Sequence, residues 1–437
     1  MTAAERPGRS PVQQSDREPT LSPGDHASKR ETIAGLVVTG HRLSLPLDHD
    51  APESGTIDVF AREVAAPDGL DRPYLVFLQG GPGHEAPRPT GWPGSPAWLE
   101  RALHDYRVLM LDQRGTGLST PYGAPGPDPE ADARRLTHFR ADAIVRDSEI
   151  FREHLGASRW SVLGQSFGGF CSLHYLCAAS GSLREVLFTG GLPPVGRPAD
   201  DVYAATYVAM RRLNQQYHKA FPADGERLAR VLDLCDSGEI RDPAGNRITR
   251  RLMRTIGHSL GMDGGAEALH YLLERDPLSP AFAYDAAAML AFDGRNPLYA
   301  VIHESSYADG GATRWAAART EPDDFHDASL MLTGEHLFPW HFADSTDLQP
   351  YRQVASLLAA HHWPRLYDAD VLSGVETPCA AVIYADDPYV DQAFSLETAR
   401  LLPRMRPWLT NEYLHNGLRT DGGRVLDRLI RLARGSL

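Results

Sequence analysis

Cysteine is scarce. Only Cys171, Cys177, Cys235 and Cys379 occur in 437 residues, with no C-x-x-C spacing among them. So thin a supply excludes a disulfide framework, and free thiols in a reducing compartment are the expected state. The H-E-x-x-H pattern is missing, and the adjacent pair His361–His362 would diverge on a helix, so neither a metal nor an organic cofactor is expected. Positive charge is in deficit: 44 Lys and Arg stand against 57 Asp and Glu, a formal net charge of −13. Nucleic acid and anionic membrane both reward clustered Lys and Arg, so neither is an expected partner. No apolar run is long enough to span a bilayer. The opening M-T-A-A-E-R-P-G-R-S begins a polar stretch, residues 1–33, without the apolar segment of a secretory signal. Its Pro, Ser, Gly, Asp and Arg content buries too little surface to order itself, so it reads as a flexible tail on a cytoplasmic protein.

What the chain does have is material for a large core, with 42% hydrophobic residues. Two alternating stretches, L-V-V-T-G-H-R-L-S-L-P-L and T-I-D-V-F-A-R-E-V, suit an antiparallel pair at a sheet edge. Almost wholly apolar runs follow: Y-L-V-F-L (74–78), Y-R-V-L-M-L (106–111), W-S-V-L-G (160–164) and E-V-L-F-T (185–189). Such runs belong to strands covered on both faces. A helical stretch near 137–155 and another after residue 166 separate them, so the predicted class is α/β, a mostly parallel sheet with helices on both faces. From 196 to 375 the pattern turns helical, and strand runs resume at P-C-A-A-V-I-Y-A (378–385) and W-L-T-N-E-Y-L (408–414). The predicted organisation is a core in two parts, 34–195 and 376–437, interrupted by a helical cap over 196–375.

The chemistry is concentrated where strands end in glycine. Ser166 sits in G-Q-S-F-G-G (164–169), between a strand run and a helical run. A turn that sharp strains its central residue and needs small neighbours, and it pushes the serine hydroxyl outward. A serine hydroxyl is a poor nucleophile at neutral pH and needs a histidine base oriented by a carboxylate. In the α/β-hydrolase arrangement these follow in the order Ser, Asp or Glu, His. After the helical stretch, one strand ends in A-D-D-P-Y-V-D, offering Asp386 and Asp387, and the next ends in H-N-G-L-R, offering His415. The oxyanion requires backbone N–H donors: Phe167, after the nucleophile, and Gly81 in the loop Q-G-G-P-G (79–83). Arg114 reads as a structural pin of its loop and Cys171 as a packing residue.

Together G-G-P-G (80–83), D-Q-R-G-T-G-L-S (112–119) and G-Q-S-F-G-G (164–169) resemble the proline iminopeptidases, serine peptidases of the α/β-hydrolase fold. The family usually has His where this chain has Gln79. The resemblance covers most of 34–195 and 376–437. Within it, D-P-Y-V-D resembles the run that follows the triad acid, which favours Asp387, with Asp386 the alternative. It implies release of N-terminal proline from peptides, the substrate and partner class expected here, through an acyl-enzyme on Ser166. A-V-I-H-E-S-S-Y and L-T-G-E-H-L-F-P-W resemble cap segments of larger members, which implies Glu304 and Glu335 as the pair that binds the substrate amine. The alternative on the same fold is an esterase or amidase acting on small acyl substrates, because cap residues set the substrate.

Overall fold

The computed structural model describes residues 29–90, 95–326 and 330–436. Nine strands form one sheet: β1 (Lys29–Ile33), β2 (Leu36–Pro46), β3 (Thr56–Ala65), β4 (Tyr74–Leu78), β5 (Arg107–Asp112), β6 (Trp160–Gln165), β7 (Leu183–Thr189), β8 (Cys379–Tyr384) and β9 (Met405–Thr410). Their spatial order is β1-β2-β3-β5-β4-β6-β7-β8-β9. The first three join antiparallel, β3 meets β5 antiparallel, and every pairing from β5 to β9 is parallel. Every residue of β4, β6 and β8 is buried, as expected of apolar runs in the middle of a covered sheet.

Strand alternation divides the core in two. Leu75, Phe77, Val108, Met110, Leu163 and Leu187 face one side, where helices Leu99–Asp105 and Gly422–Ala433 cover them. Val76, Leu78, Leu109, Val162, Val186 and Phe188 face the other side, toward helices Ala141–His154 and Phe167–Ala179. This second cluster continues without a break into the helical segment between β7 and β8, through Tyr203, Met210, Leu332 and Tyr389. Between β7 and β8 the described residues hold only helices, turns and isolated bridges. No helix among the described residues is long and apolar enough to cross a membrane.

Three sequence expectations shift. Residues 1–28 of the expected tail lie outside the described residues, but 29–33 form β1, paired from Lys29↔Gly40 to Ile33↔Leu36. Its side chains from Arg30 onward are exposed, so it is held by backbone hydrogen bonds at the sheet edge and carries no apolar alternation. β9 spans 405–410 rather than 408–414, with Pro407 tolerated on an edge strand. Residues after 410 leave the sheet and are gripped by the helical segment: Leu414 N donates to Asp263 Oδ1 at 3.0 Å, and His415 N to Gly261 O at 3.0 Å. The helix expected near 137–155 runs from Ala141 to His154.

Candidate active site

Ser166 is the single residue between β6 and the helix Phe167–Ala179, at φ 53°, ψ −123°. A non-glycine residue held there costs about 1–3 kcal/mol, which the surrounding packing must enforce. The glycines around it are demanded by contact. A Cβ on Gly168 would lie 1.9 Å from Leu78 O, and one on Gly169 would lie 2.3 Å from Gly191 O. The turn therefore presses against the ends of β4 and β7. Ser166 N donates to Thr189 O at 3.0 Å, which ties the serine to β7.

His415 and Asp387 form a buried pair, with Nδ1 to Oδ2 at 2.7 Å. A carboxylate only accepts, so Nδ1 carries the proton and the neutral ring keeps Nε2 as an acceptor. The second carboxylate oxygen of Asp387 accepts from Tyr389 N at 2.8 Å and Val390 N at 3.1 Å, which fixes its plane. Burial works against a charged imidazole at His415, yet the charge of Asp387 and its hydrogen bond outweigh it and raise the pKa above the ordinary value of 6.5. Asp386 points elsewhere, to Arg212 Nη2 at 3.0 Å.

Ser166 and His415 line a common cavity of about 450 Å³ together with Gly80 and Gly81. Gly81 has φ 136°, a conformation open to glycine, and a Cβ there would lie 2.8 Å from the His84 ring. Phe167 opens its helix, so its N–H has no intrahelical partner. The D-Q-R motif braces this loop. Gln113 Nε2 donates to Gln79 O at 3.0 Å, and Asp112 accepts from Ala86 N at 3.1 Å and from both Arg88 Nη atoms at 2.7 and 2.6 Å. Arg114 is wholly buried, paired with Asp147 at 2.5 Å and donating to the carbonyls of Pro46, Leu47 and His138. That is the pinning role read from the sequence. Cys171 is fully buried, and all four cysteines are free. Among the described residues, no group of three or more His, Cys, Asp or Glu side chains is arranged to hold a metal ion.

The two glutamates part company. Glu335 lines the cavity, accepting from the Tyr299 hydroxyl at 2.6 Å and lying 3.5 Å from His258 Nε2. Burial lifts its pKa above the usual carboxylate value, and the nearby His415 and the Tyr299 hydrogen bond only partly offset this. Burial also pushes His258 down to about 4, so it is neutral near pH 7 and gives Glu335 no countercharge. Glu304 is buried and absent from the cavity lining, and its carboxylate accepts from Trp315 N at 3.0 Å and Ala317 N at 3.2 Å. Of the expected pair only Glu335 lines the cavity, while Glu304 holds a chain turn in which Arg314 and Trp315 have positive φ and each of its oxygens accepts from a backbone donor. Tyr299, His258 and Arg419 also line the cavity, and no sequence motif marks them.

Comparison with known proteins identifies the family and the fold. Residues 73–233 match the family model of the α/β-hydrolase fold. The chain is 44% identical to a proline iminopeptidase of Aeromonas sobria over 422 residues, covering 92% of this chain and 98% of that one. It is 31% identical to a proline iminopeptidase of Aspergillus aculeatus over 417 residues, covering 90% of this chain and 92% of that one. Likeness sustained across almost the full length of two such enzymes means that the chain belongs to the proline iminopeptidase family of the α/β-hydrolase fold.

Proposed function

We propose that this chain is a serine aminopeptidase that releases N-terminal proline from peptides through an acyl-enzyme on Ser166. His415 Nε2 takes the hydroxyl proton as the oxygen attacks the proline carbonyl, and Asp387 holds the imidazole in the needed tautomer and stabilises its charged form. The N–H groups of Gly81 and Phe167 receive the oxyanion. His415 then returns the proton to the departing amine, and water repeats the sequence to free proline.

One observation carries the substrate side: a mostly buried carboxylate, Glu335, shares the cavity with Ser166, and among the described residues no Lys or Arg side chain is bonded to it, the charge of Arg419 acting on it only through space. A buried charge needs a partner, and a protonated imino group supplies one. Glu335 binds that group, while Glu304 shapes the wall. The segment 196–375 acts as a cap that closes over the short N-terminal residue. Four free thiols favour a reducing compartment, and the cytoplasm is the proposed site of action.

The test is proline arylamide turnover. Ser166→Ala abolishes it while circular dichroism stays unchanged. Glu335→Gln raises KM by about tenfold or more, the loss of one charge-assisted bond, and Glu304→Gln raises it less. Retained turnover in Ser166→Ala refutes the mechanism. Short acyl esters hydrolysed in preference to the arylamide establish the esterase reading instead.

A further inference from the structure

The cavity around Ser166 does not end there. A second cavity of about 500 Å³ adjoins it, and five residues, Gln79, His84, Gln165, Arg295 and Arg419, line both. Three guanidinium groups face the second cavity. Arg88 is held by Asp112 through two bonds at 2.7 and 2.6 Å, and Arg295 by Glu85 at 2.6 Å. Arg419 is different: among the described residues no carboxylate is bonded to its side chain, Glu335 acting on it only through space, and its one hydrogen bond reaches the neutral amide of Gln165 at 3.4 Å. It is exposed at the junction of the two cavities, four residues beyond His415, while Gln165 immediately precedes Ser166.

We propose that Arg419 binds the free α-carboxylate of a dipeptide substrate, making the enzyme selective for proline dipeptides with an ionised C-terminus. This rests on the aminopeptidase reading above. With the imino group at Glu335 and the proline carbonyl at Ser166, the residue beyond the scissile bond leaves toward the shared wall. Its carboxylate lies only about 3.5 Å of chain further on. Two carboxylates line the first cavity. Glu335 takes the amine, and Asp293 is engaged by the backbone N–H of Arg295 at 3.0 Å. The planar guanidinium of Arg419 offers a carboxylate two parallel N–H donors, which the single long bond to Gln165 leaves free to turn. The whole chain carries a net charge of −13, so its general field disfavours an anionic substrate, and preference for the acid requires a local cation.

The experiment compares kcat/KM for Pro-Ala with that for Pro-Ala-amide, alongside proline arylamide. The free acid is expected to be preferred by about tenfold or more, the equivalent of one charge-assisted bond. In Arg419→Gln the acid-to-amide ratio collapses toward one, in Arg419→Glu it inverts, and in Arg419→Lys part of it survives. Because both substrates are measured on the same enzyme, partial loss of folded protein cancels from the ratio. Equal turnover of acid and amide by the unmodified enzyme overturns the carboxylate site and leaves the aminopeptidase reading intact, as does a ratio that persists in Arg419→Gln. Failure to release proline from all three compounds overturns both.

Discussion

Asp386 and Asp387 are neighbours in the chain, and the turn after β8 sends them in opposite directions. Asp387 is buried against His415, and Asp386 pairs with Arg212 at the protein surface. Substitution should separate them sharply. Asp387→Asn keeps the shape but disturbs the tautomer, and kcat for proline arylamide should fall by about 10⁴. Asp386→Asn removes one half-exposed ion pair and should cost less than about 1 kcal/mol of stability with kcat nearly unchanged. The pH profile adds a second readout. Catalysis requires neutral His415, whose pKa in the folded protein is raised above 6.5, so kcat/KM should decline as pH falls through a midpoint above that value. In Asp387→Asn the main supporting charge is gone, burial and the charge of Arg419 are opposed only by Glu335, and the midpoint moves down. At this scale the residues of the proposed triad stand out in the sequence because each follows a strand run, in a fixed order. The choice of Asp387 over Asp386 rested on a short run resembling other members of the fold. Tyr299, His258 and Arg419 gave no signal: they come from separate segments, share no spacing, and meet only when the helical segment folds over the sheet. The sequence does not separate Glu304 from Glu335 for a related reason, since an apolar sequence context indicates burial and not which group answers the buried charge.

Among elements, the strand–serine–helix turn shows how a pattern of glycines translates into contact. Gly168 sits where the helix Phe167–Ala179 meets the end of β4, and the space for a methyl group is occupied by a backbone carbonyl. Backbone cannot move aside as a flexible side chain can. Gly168→Ala should therefore destabilise by about 3 kcal/mol or more, or prevent folding altogether. Gly225, in the helix Asp224–Ser237, has nothing within 4 Å of its would-be Cβ. There the same change should be neutral or gain up to about 1 kcal/mol through helix propensity and a less flexible unfolded chain. Chemical denaturation of the two variants checks the contrast. The central strands could be read from sequence because burial on both faces leaves unbroken apolar runs. The outermost strands are legible only in part: β1 falls in the expected tail, and β9 begins three residues before the expected run. β1 is nearly all exposed side chains, and β9 carries Pro407 and exposed Arg406 and Leu409, so neither shows the alternation that betrays a half-buried strand.

For the molecule as a whole, the boundary suggested by sequence at residues 196 and 375 is a change of pattern that the packing does not repeat as a gap. One hydrophobic cluster runs from Val76 and Val162 in the sheet through Tyr203 and Met210 to Leu332 and Leu358 in the helical segment. Polar ties cross the same border. Arg140, beside the helix Ala141–His154, donates to Ala308 O at 3.0 Å and Pro364 O at 2.8 Å, and its guanidinium lies 5.0 Å from the Trp363 ring. Units joined by a large apolar interface should not unfold independently, because exposing that face removes stabilisation from both. Thermal unfolding should accordingly show one transition. Fluorescence of tryptophans on both sides, Trp160 in β6 and Trp363 in the helical segment, should change together with far-ultraviolet circular dichroism and loss of arylamide turnover. Two resolved transitions would show that the helical segment is a separately stable unit. Arg140→Met tests the border itself: it leaves two carbonyls without their donor, each costing about 1–3 kcal/mol if they stay buried. The midpoint should drop while the transition stays single, because the apolar cluster that couples the two parts remains. A variant that instead splits into two steps would locate the coupling in that one guanidinium and not in the shared core.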